Sequence, residues 1–265
     1  MYGTRKSVKA VRLLLALGAL FTVTVTALAE RLPIKIYTTA DGLGHNVVHR
    51  VVCDSRGFLW FCTREGLSRF DGYNFTNYGL DQGLPSAIIN DLLETPDGQY
   101  WVATSAGLCR FNPLGKIEAG AGAIFTVYSP AEDKRSKHIS TLLRDRAGHV
   151  WCGTSNGLYR CEVYGNAVNF VPVELGISDY LQSRSIECLL EDRAGRLWVG
   201  AAIGLFRLWP DGRVEAYTAR NGLPGVGIYS LLEDREGRIW AGTKTGGICL
   251  LAPDPAPAHR LPSEA

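Results

Sequence analysis

Two stretches carry residue types at spacings that could do covalent chemistry. Gly153-Thr154-Ser155-Asn156-Gly157 fits Gly-x-Ser-x-Gly, the pattern of a serine raised on a strained strand-to-helix turn for nucleophilic attack. Lys244-Thr245-Gly246 fits the Lys-Thr-Gly triplet of β-lactamases, but no Ser-x-x-Lys partner accompanies it. Equivalent positions elsewhere read Thr104-Ser105-Ala106-Gly107 and Thr243-Lys244-Thr245-Gly246, so a recurrent turn accounts for both motifs and no nucleophile is assigned. The histidines are His45, His49, His138, His149 and His259. None sits at a recurrent offset or at helical metal spacing, and they read as solvated loop residues. Seven cysteines (53, 62, 109, 152, 161, 188, 249) include no Cys-x-x-Cys pair, which excludes a zinc knuckle or thioredoxin-type site. They read as buried thiols, and no cofactor or metal is expected.

A repeat positions these residues. Trp60, Trp101, Trp151, Trp198 and Trp240 are spaced by 41, 50, 47 and 42 residues. Around them runs one phrase: Asp54-Ser-Arg-Gly-Phe-Leu-Trp60, Asp145-Arg-Ala-Gly-His-Val-Trp151, Asp192-Arg-Ala-Gly-Arg-Leu-Trp198 and Asp234-Arg-Glu-Gly-Arg-Ile-Trp240, with Thr95-Pro-Asp-Gly-Gln-Tyr-Trp101 as the divergent copy. A glycine stands three residues before every one of these tryptophans and another six after, agreement that chance would give with probability on the order of 10⁻⁵. Arg69, Arg110, Arg160 and Arg207 recur nine residues after a Trp. Tyr37, Tyr78, Tyr128 and Tyr217 recur 23 before, with Leu175 in that place ahead of Trp198.

Each copy reads as four short strands, in the first copy 47–53, 58–63, 67–70 and 74–78. Asp-x-x-Gly makes the a–b turn, Thr-x-x-Gly the b–c turn and Asp71-Gly72 the c–d turn. Four strands in 40–50 residues, repeated, is the arithmetic of a propeller blade. The expected fold is therefore all-β, a β-propeller of five four-stranded blades, either a closed ring or an open arc of a larger propeller. The recurrent Trp would pack between neighbouring blades. The last copy lacks its own fourth strand, and the segment 34–37 is expected to supply it, hiding two sheet edges.

Residues 1–29 read as a secretory signal: Arg5, Lys6, Lys9 and Arg12, then an apolar run, then Ala27-Leu28-Ala29 with cleavage after Ala29. Removing it leaves 24 basic against 26 acidic residues, so nothing forms a basic stripe for nucleic acid. No later run is long enough to span a membrane, which places the mature chain in the periplasm or outside the cell. The propeller is expected over 30–251, followed by a disordered tail over 252–265.

The phrase Asp-x-x-Gly-x-Leu-Trp-x-Gly-Thr-x-x-Gly-Leu-x-Arg-Phe, with a Gly-Leu loop before it, resembles the two-component regulator propeller repeat over roughly residues 34–251. The resemblance implies the periplasmic sensor of a hybrid histidine kinase. It implies a small nutrient such as a polysaccharide fragment as ligand, and a membrane kinase or downstream sensor region as partner. The chain departs from that family in having five repeats, where the sensors commonly form seven-bladed propellers, and no kinase.

Turns alternate between the two faces of a propeller. The d–a loops and b–c turns share one face and vary most between copies. That face is the expected ligand site, with His45, Asn46, Arg64, Glu65, Ser86, Ser105, Asn156 and Lys244 as its candidate contacts. His45 and His138 lie on its interblade loops. The expected action is binding, not catalysis. The rival readings are a lyase-like exported propeller enzyme, which needs a His and a carboxylate converging on one face, and an envelope scaffold for other proteins.

Overall fold

The computed structural model describes residues 33–113, 124–177 and 184–251. The expected signal and its cleavage site, and the expected tail, lie outside them. All the strands among the described residues lie after Ile36.

Among the described residues nineteen strands make five antiparallel sheets. Blade 1 is β1 (Val48–Cys53), β2 (Leu59–Thr63), β3 (Gly66–Phe70) and β4 (Phe75–Tyr78). Blade 2 is β5 (Ile89–Glu94), β6 (Tyr100–Thr104), β7 (Gly107–Phe111) and β8 (Phe125–Tyr128). Blade 3 is β9 (Ile139–Arg144), β10 (Val150–Thr154), β11 (Gly157–Tyr164) and β12 (Ala167–Val173). Blade 4 is β13 (Ile186–Glu191), β14 (Leu197–Ala201), β15 (Gly204–Leu208) and β16 (Val214–Tyr217). Blade 5 is β17 (Ile228–Glu233), β18 (Ile239–Thr243) and β19 (Ile248–Leu251).

Each sheet is a meander whose strand a packs on strand a of the next blade: β1 on β5, β5 on β9, β9 on β13, β13 on β17. No comparable packing joins β17 to β1 among the described residues. The fifth sheet has three described strands, not four, and Ile34 and Ile36 are about three-quarters exposed (74% and 73%) and in no strand. The expected closure by segment 34–37 is therefore corrected. Tyr37 packs edge-on against Phe70 and Phe75 of blade 1 instead (5.1 and 5.7 Å). The two end faces consequently show apolar residues whose equivalents are covered elsewhere: Val51 on blade 1, Leu232 and Ile248 on blade 5.

The fixed spacing of six between Asp and Trp has a chemical cause. Asp54 Oδ1 accepts the backbone N–H of Arg56 and Phe58, closing the a–b turn, while Oδ2 accepts the Trp60 indole N–H at 2.9 Å. The same bond to indole recurs at Asp145–Trp151, Asp192–Trp198 and Asp234–Trp240, each 2.8 Å. Each carboxylate thus fixes a turn and orients the ring that fills the space before the next blade. In blade 2, Thr95 stands in place of Asp and its hydroxyl donates to the Gln99 carbonyl.

Other repeat residues have equally local reasons. In Thr-x-x-Gly, the hydroxyls of Thr63, Thr104 and Thr154 donate across the b–c turn to the glycine carbonyl and accept an N–H from within it. The Gly-Leu loops are short 3₁₀ turns ended by Gly42, Gly83 and Gly222 at φ near +100°, where a side chain would be strained, and Leu43, Leu84 and Leu223 are buried behind them.

A second set of contacts links successive a–b turns. Ser55 N–H and Oγ–H both donate to the Glu94 carboxylate of the next blade (2.7 Å each). Arg146 N–H donates to Glu191 and Arg193 N–H to Glu233 (2.9 and 3.0 Å). At the remaining junction the donor position holds Pro96, which has no N–H, and the acceptor position holds Arg144. Both halves of this clamp are present together or absent together.

Replacing Asp192, which is fully buried, by Ala strands the Trp198 indole and two backbone N–H groups. Urea unfolding is expected to show a loss of about 2–4 kcal/mol, and a loss within error would refute the role given to this bond.

Candidate functional site

The d–a loops and b–c turns lie side by side on one face. Their backbones bond through Ser105 N–H to Ile88 O, Ser155 N–H to His138 O, Ala202 N–H to Ser185 O and Lys244 N–H to Gly227 O. Four of the candidate contacts are spent on holding these loops. His45 Nδ1 accepts Val47 N–H, Asn46 Oδ1 accepts Thr39 N–H and Ser86 Oγ accepts Ile88 N–H. Asn156 donates to Ser136 Oγ in a one-turn helix, α1 (Lys134–Lys137). Ser105 is half-buried in its turn, whereas Arg64, Glu65 and Lys244 carry exposed side chains without a polar partner among the described residues.

Ser155 belongs to the same framework. Its Oγ is 3.2 Å from His138 Nδ1, joining the b–c turn to the loop behind α1. Gly153 and Gly157 serve packing and turn geometry. A Cβ on Gly153 would come within 2.8 Å of Ile186 in the next blade, and Gly157 has φ +117°. The segment is strand–turn–strand, and His138 has no carboxylate partner among the described residues.

One group of residues went unrecognised in the sequence. Every strand a carries a register shift at the residue eleven before its Trp: His49, Asn90, Ser140, Glu187 and Tyr229. A bulge re-aims the side chain it carries. His49 Nδ1 and Asn90 Nδ2 reach the first carbonyl of the next strand a, Ile89 O (2.9 Å) and Ile139 O (2.6 Å), and Ser140 Oγ likewise bonds Ile186 O. Glu187 cannot donate such a bond; it accepts from Ser185 Oγ, and Cys188 Sγ contacts Ile228 O instead. The signal was available: one position holds five different polar or aromatic residues directly after the aliphatic residue that opens each strand a. His49 thus lies in a strand, as the expected span 47–53 has it, and not in a loop, as the reading of the histidines had it. Beside this belt, Asp91 is buried with Arg50 Nε 3.0 Å away and Leu92 and Leu142 N–H bonded to it. Burial raises its pKa against the pull of those partners.

His149, expected in a solvated loop, is an exposed turn residue. It sits in the a–b turn of blade 3 with Nδ1 2.9 Å from Asp145 Oδ2, on the opposite face from the loops. A cavity of about 900 Å³ opens there between blades 3 and 4. No group of three or more His, Cys, Asp or Glu is placed to hold a metal among the described residues.

The cysteines are all free thiols; Cys53 is exposed, Cys249 partly buried and the other five buried. Burial pushes the Cys109 and Cys188 thiols up to about 12 and those of Cys62 and Cys152 up as well. A thiol reagent on the folded protein is expected to modify Cys53 rapidly and Cys249 slowly, with the other five reacting only in denaturant. Rapid reaction of a third thiol would contradict this burial.

For Asp54, Asp145 and Asp234, burial favours the neutral acid, but the indole and turn hydrogen bonds outweigh it and hold each carboxyl below its usual value, Asp234 at about 2. A pKa lowered in the folded state contributes stability above the ordinary carboxylate value that is lost as pH falls. Stability should therefore decline as pH drops from about 4 toward about 2, less steeply in Asp234→Asn. Equal slopes in the two proteins would refute the contribution of Asp234.

Comparison with known proteins follows this geometry. The two-component regulator propeller model matches residues 42–65, 83–106, 180–202 and 222–245. No curated protein matches in sequence. Among solved structures, the extracellular domain of the putative hybrid two-component system BT4673 from B. thetaiotaomicron is 26% identical, with TM-score 0.61 over 75% of this chain and 26% of that one. The chain thus spans about a quarter of that protein. Virginiamycin B lyase from Staphylococcus aureus, 14% identical with TM-score 0.56 over 76% of this chain and 68% of that one, shares the fold. So does the WD40 propeller of Doa1, 11% identical with TM-score 0.57 over 78% of this chain and 64% of that one. The chain is an all-β protein, four segments of which match the two-component regulator propeller repeat, and it is similar to the extracellular domains of hybrid two-component systems.

Proposed function

We propose that the protein is the ligand-sensing propeller of an extracytoplasmic signalling system and acts by binding, not by catalysis. The observation that carries this reading is the contrast on the loop face. A bonded framework built from His45, Asn46, Ser86 and Asn156 holds up Arg64, Glu65 and Lys244, whose charged ends remain unspent. Such groups suit a hydroxyl-rich or charged small nutrient, an oligosaccharide among them. Exposed charges on a rigid frame give specificity without the ordering cost that mobile loops would impose. The extracellular domains among the structural relatives support placement outside the cytoplasm, and their hybrid two-component systems support a membrane kinase as partner. The leader residues 1–29 suit export. No helix among the described residues is long and apolar enough to cross a membrane.

The rival reading of a lyase-like enzyme draws on one observation, the Asp145–His149 pair beside the cavity.

A thermal-shift screen of mono- and oligosaccharides on the chain from Glu30 onward tests the proposal. A ligand should raise the melting temperature, with affinity about tenfold weaker in Arg64→Ala and Lys244→Ala. A ligand bound equally well by both variants would remove the loop face as its site. Turnover of a ligand, abolished by His149→Ala, would favour the enzyme.

A further inference from the structure

The four interblade junctions are copies of one design, so each serves as a control for the others. In blades 1, 2 and 4 the Trp is flanked by the Tyr of its own strand d. Ring centroids are 6.0 Å apart for Trp60–Tyr78 and 5.9 Å for both Trp101–Tyr128 and Trp198–Tyr217. Those tyrosines stand opposite Leu67, Leu108 and Leu205. In blade 3 the residue opposite the equivalent Leu158 is Val173, not Leu175 as the count along the sequence suggested. An aliphatic residue therefore stands where an aromatic ring belongs. Trp151 is correspondingly more open than the others, at 9% against 0–2% for Trp60, Trp101 and Trp198.

Further departures from the repeat meet at this place. The c–d hairpin of blade 3 is lengthened, with strands of 8 and 7 residues where other blades have 4 or 5. Trp209, the one tryptophan outside the repeat, closes the blade 4 side. His149 replaces the arginine that blades 4 and 5 place there, Arg196 and Arg238. The result is the cavity of about 900 Å³, a volume suited to a small molecule, walled by Trp151, Val173, Leu197 and Leu208.

The polar groups in its wall are unequally spent. Asp145 is saturated by Trp151 and by the side chain and backbone of His149, and Glu191 accepts Arg146 N–H. Arg160 gives one Nη2–H to Glu162, while its Nε–H is buried without a partner. Arg69 shares that unpaired Nε, but its guanidinium lies over the Phe58 ring at 4.7 Å, whereas Arg160 lines the cavity. Among the described residues His149 Nε2 has no hydrogen-bond partner. The Arg160 side chain is 37% exposed, so a charged acceptor from a ligand can reach the open part of its guanidinium.

From this we infer a second binding site, in the blade 3–blade 4 cleft on the face opposite the loops, for a small carboxylate with a planar apolar body. The carboxylate meets the exposed part of the Arg160 guanidinium, with His149 beside it, and the apolar body fills the space a tyrosine occupies in the other junctions. The site is independent of the ligand proposed for the loop face.

Titration of the mature chain with 2-naphthoate, followed by calorimetry and by tryptophan fluorescence, tests this. Saturable binding with Kd at or below about 1 mM is expected. Val173→Tyr restores the repeat's own residue, and Arg160→Met removes the donor. Each should weaken binding at least tenfold while leaving the circular dichroism spectrum unchanged. The uncharged 2-naphthalenemethanol should bind the wild type at least tenfold more weakly. Absence of saturable binding to the wild type would overturn the site. So would unchanged affinity in Arg160→Met, a reading that survives even if Val173→Tyr folds poorly.

Discussion

The structure depends on one hydrogen bond, from an indole N–H to a carboxylate six residues earlier. The carboxylate has two oxygens and uses them for different tasks. One gathers backbone N–H groups of the a–b turn; the other orients the tryptophan on the following strand. Local chain reversal and long-range packing are thereby fixed by a single side chain. The indole is the largest object in each interblade layer, so its orientation sets where the next sheet can lie. A charged acceptor removed from water is tolerated because its lone pairs are filled by donors already in place.

Around that bond the molecule divides labour between its faces and its inner edge. The a–b turn face carries the carboxylate clamps between neighbours. The inner edge carries bulged side chains that reach the next strand a. The loop face is held by short side-chain-to-backbone bonds and keeps its charged ends free. Structural work is thus shared between the strict residues of the a–b turns and variable ones, such as the bulged His49, Asn90 and Ser140, that bond the next blade.

Much of this was legible in the sequence. Regular Gly and Trp offsets located the turns, and the strands of blade 1 fall within a residue of their expected bounds. What escaped has identifiable causes. The Asp–Trp bond was hidden because aspartate already had a sufficient reason to stand in a turn. The bulges were hidden because one extra residue in a strand leaves hydrophobic spacing almost unchanged. Leu175 was placed at the tyrosine position because the reading counted back from Trp198, whereas strand pairing counts from Leu158 and puts Val173 there. The cavity draws on residues from several strands, none unusual alone. The segment 34–37 looked like a strand, and it is in no strand among the described residues.

The clamp between a–b turns ties the sequence of one blade to that of its neighbour. Its donor lies in one blade and its acceptor in the next, and Pro96 and Arg144 abandon it together. Any residue but proline has the N–H to give, so what decides the clamp is the acceptor that the next blade offers. A glutamate at the end of strand a thus serves the blade before it, and the one junction without that glutamate is the one whose donor position can do without it.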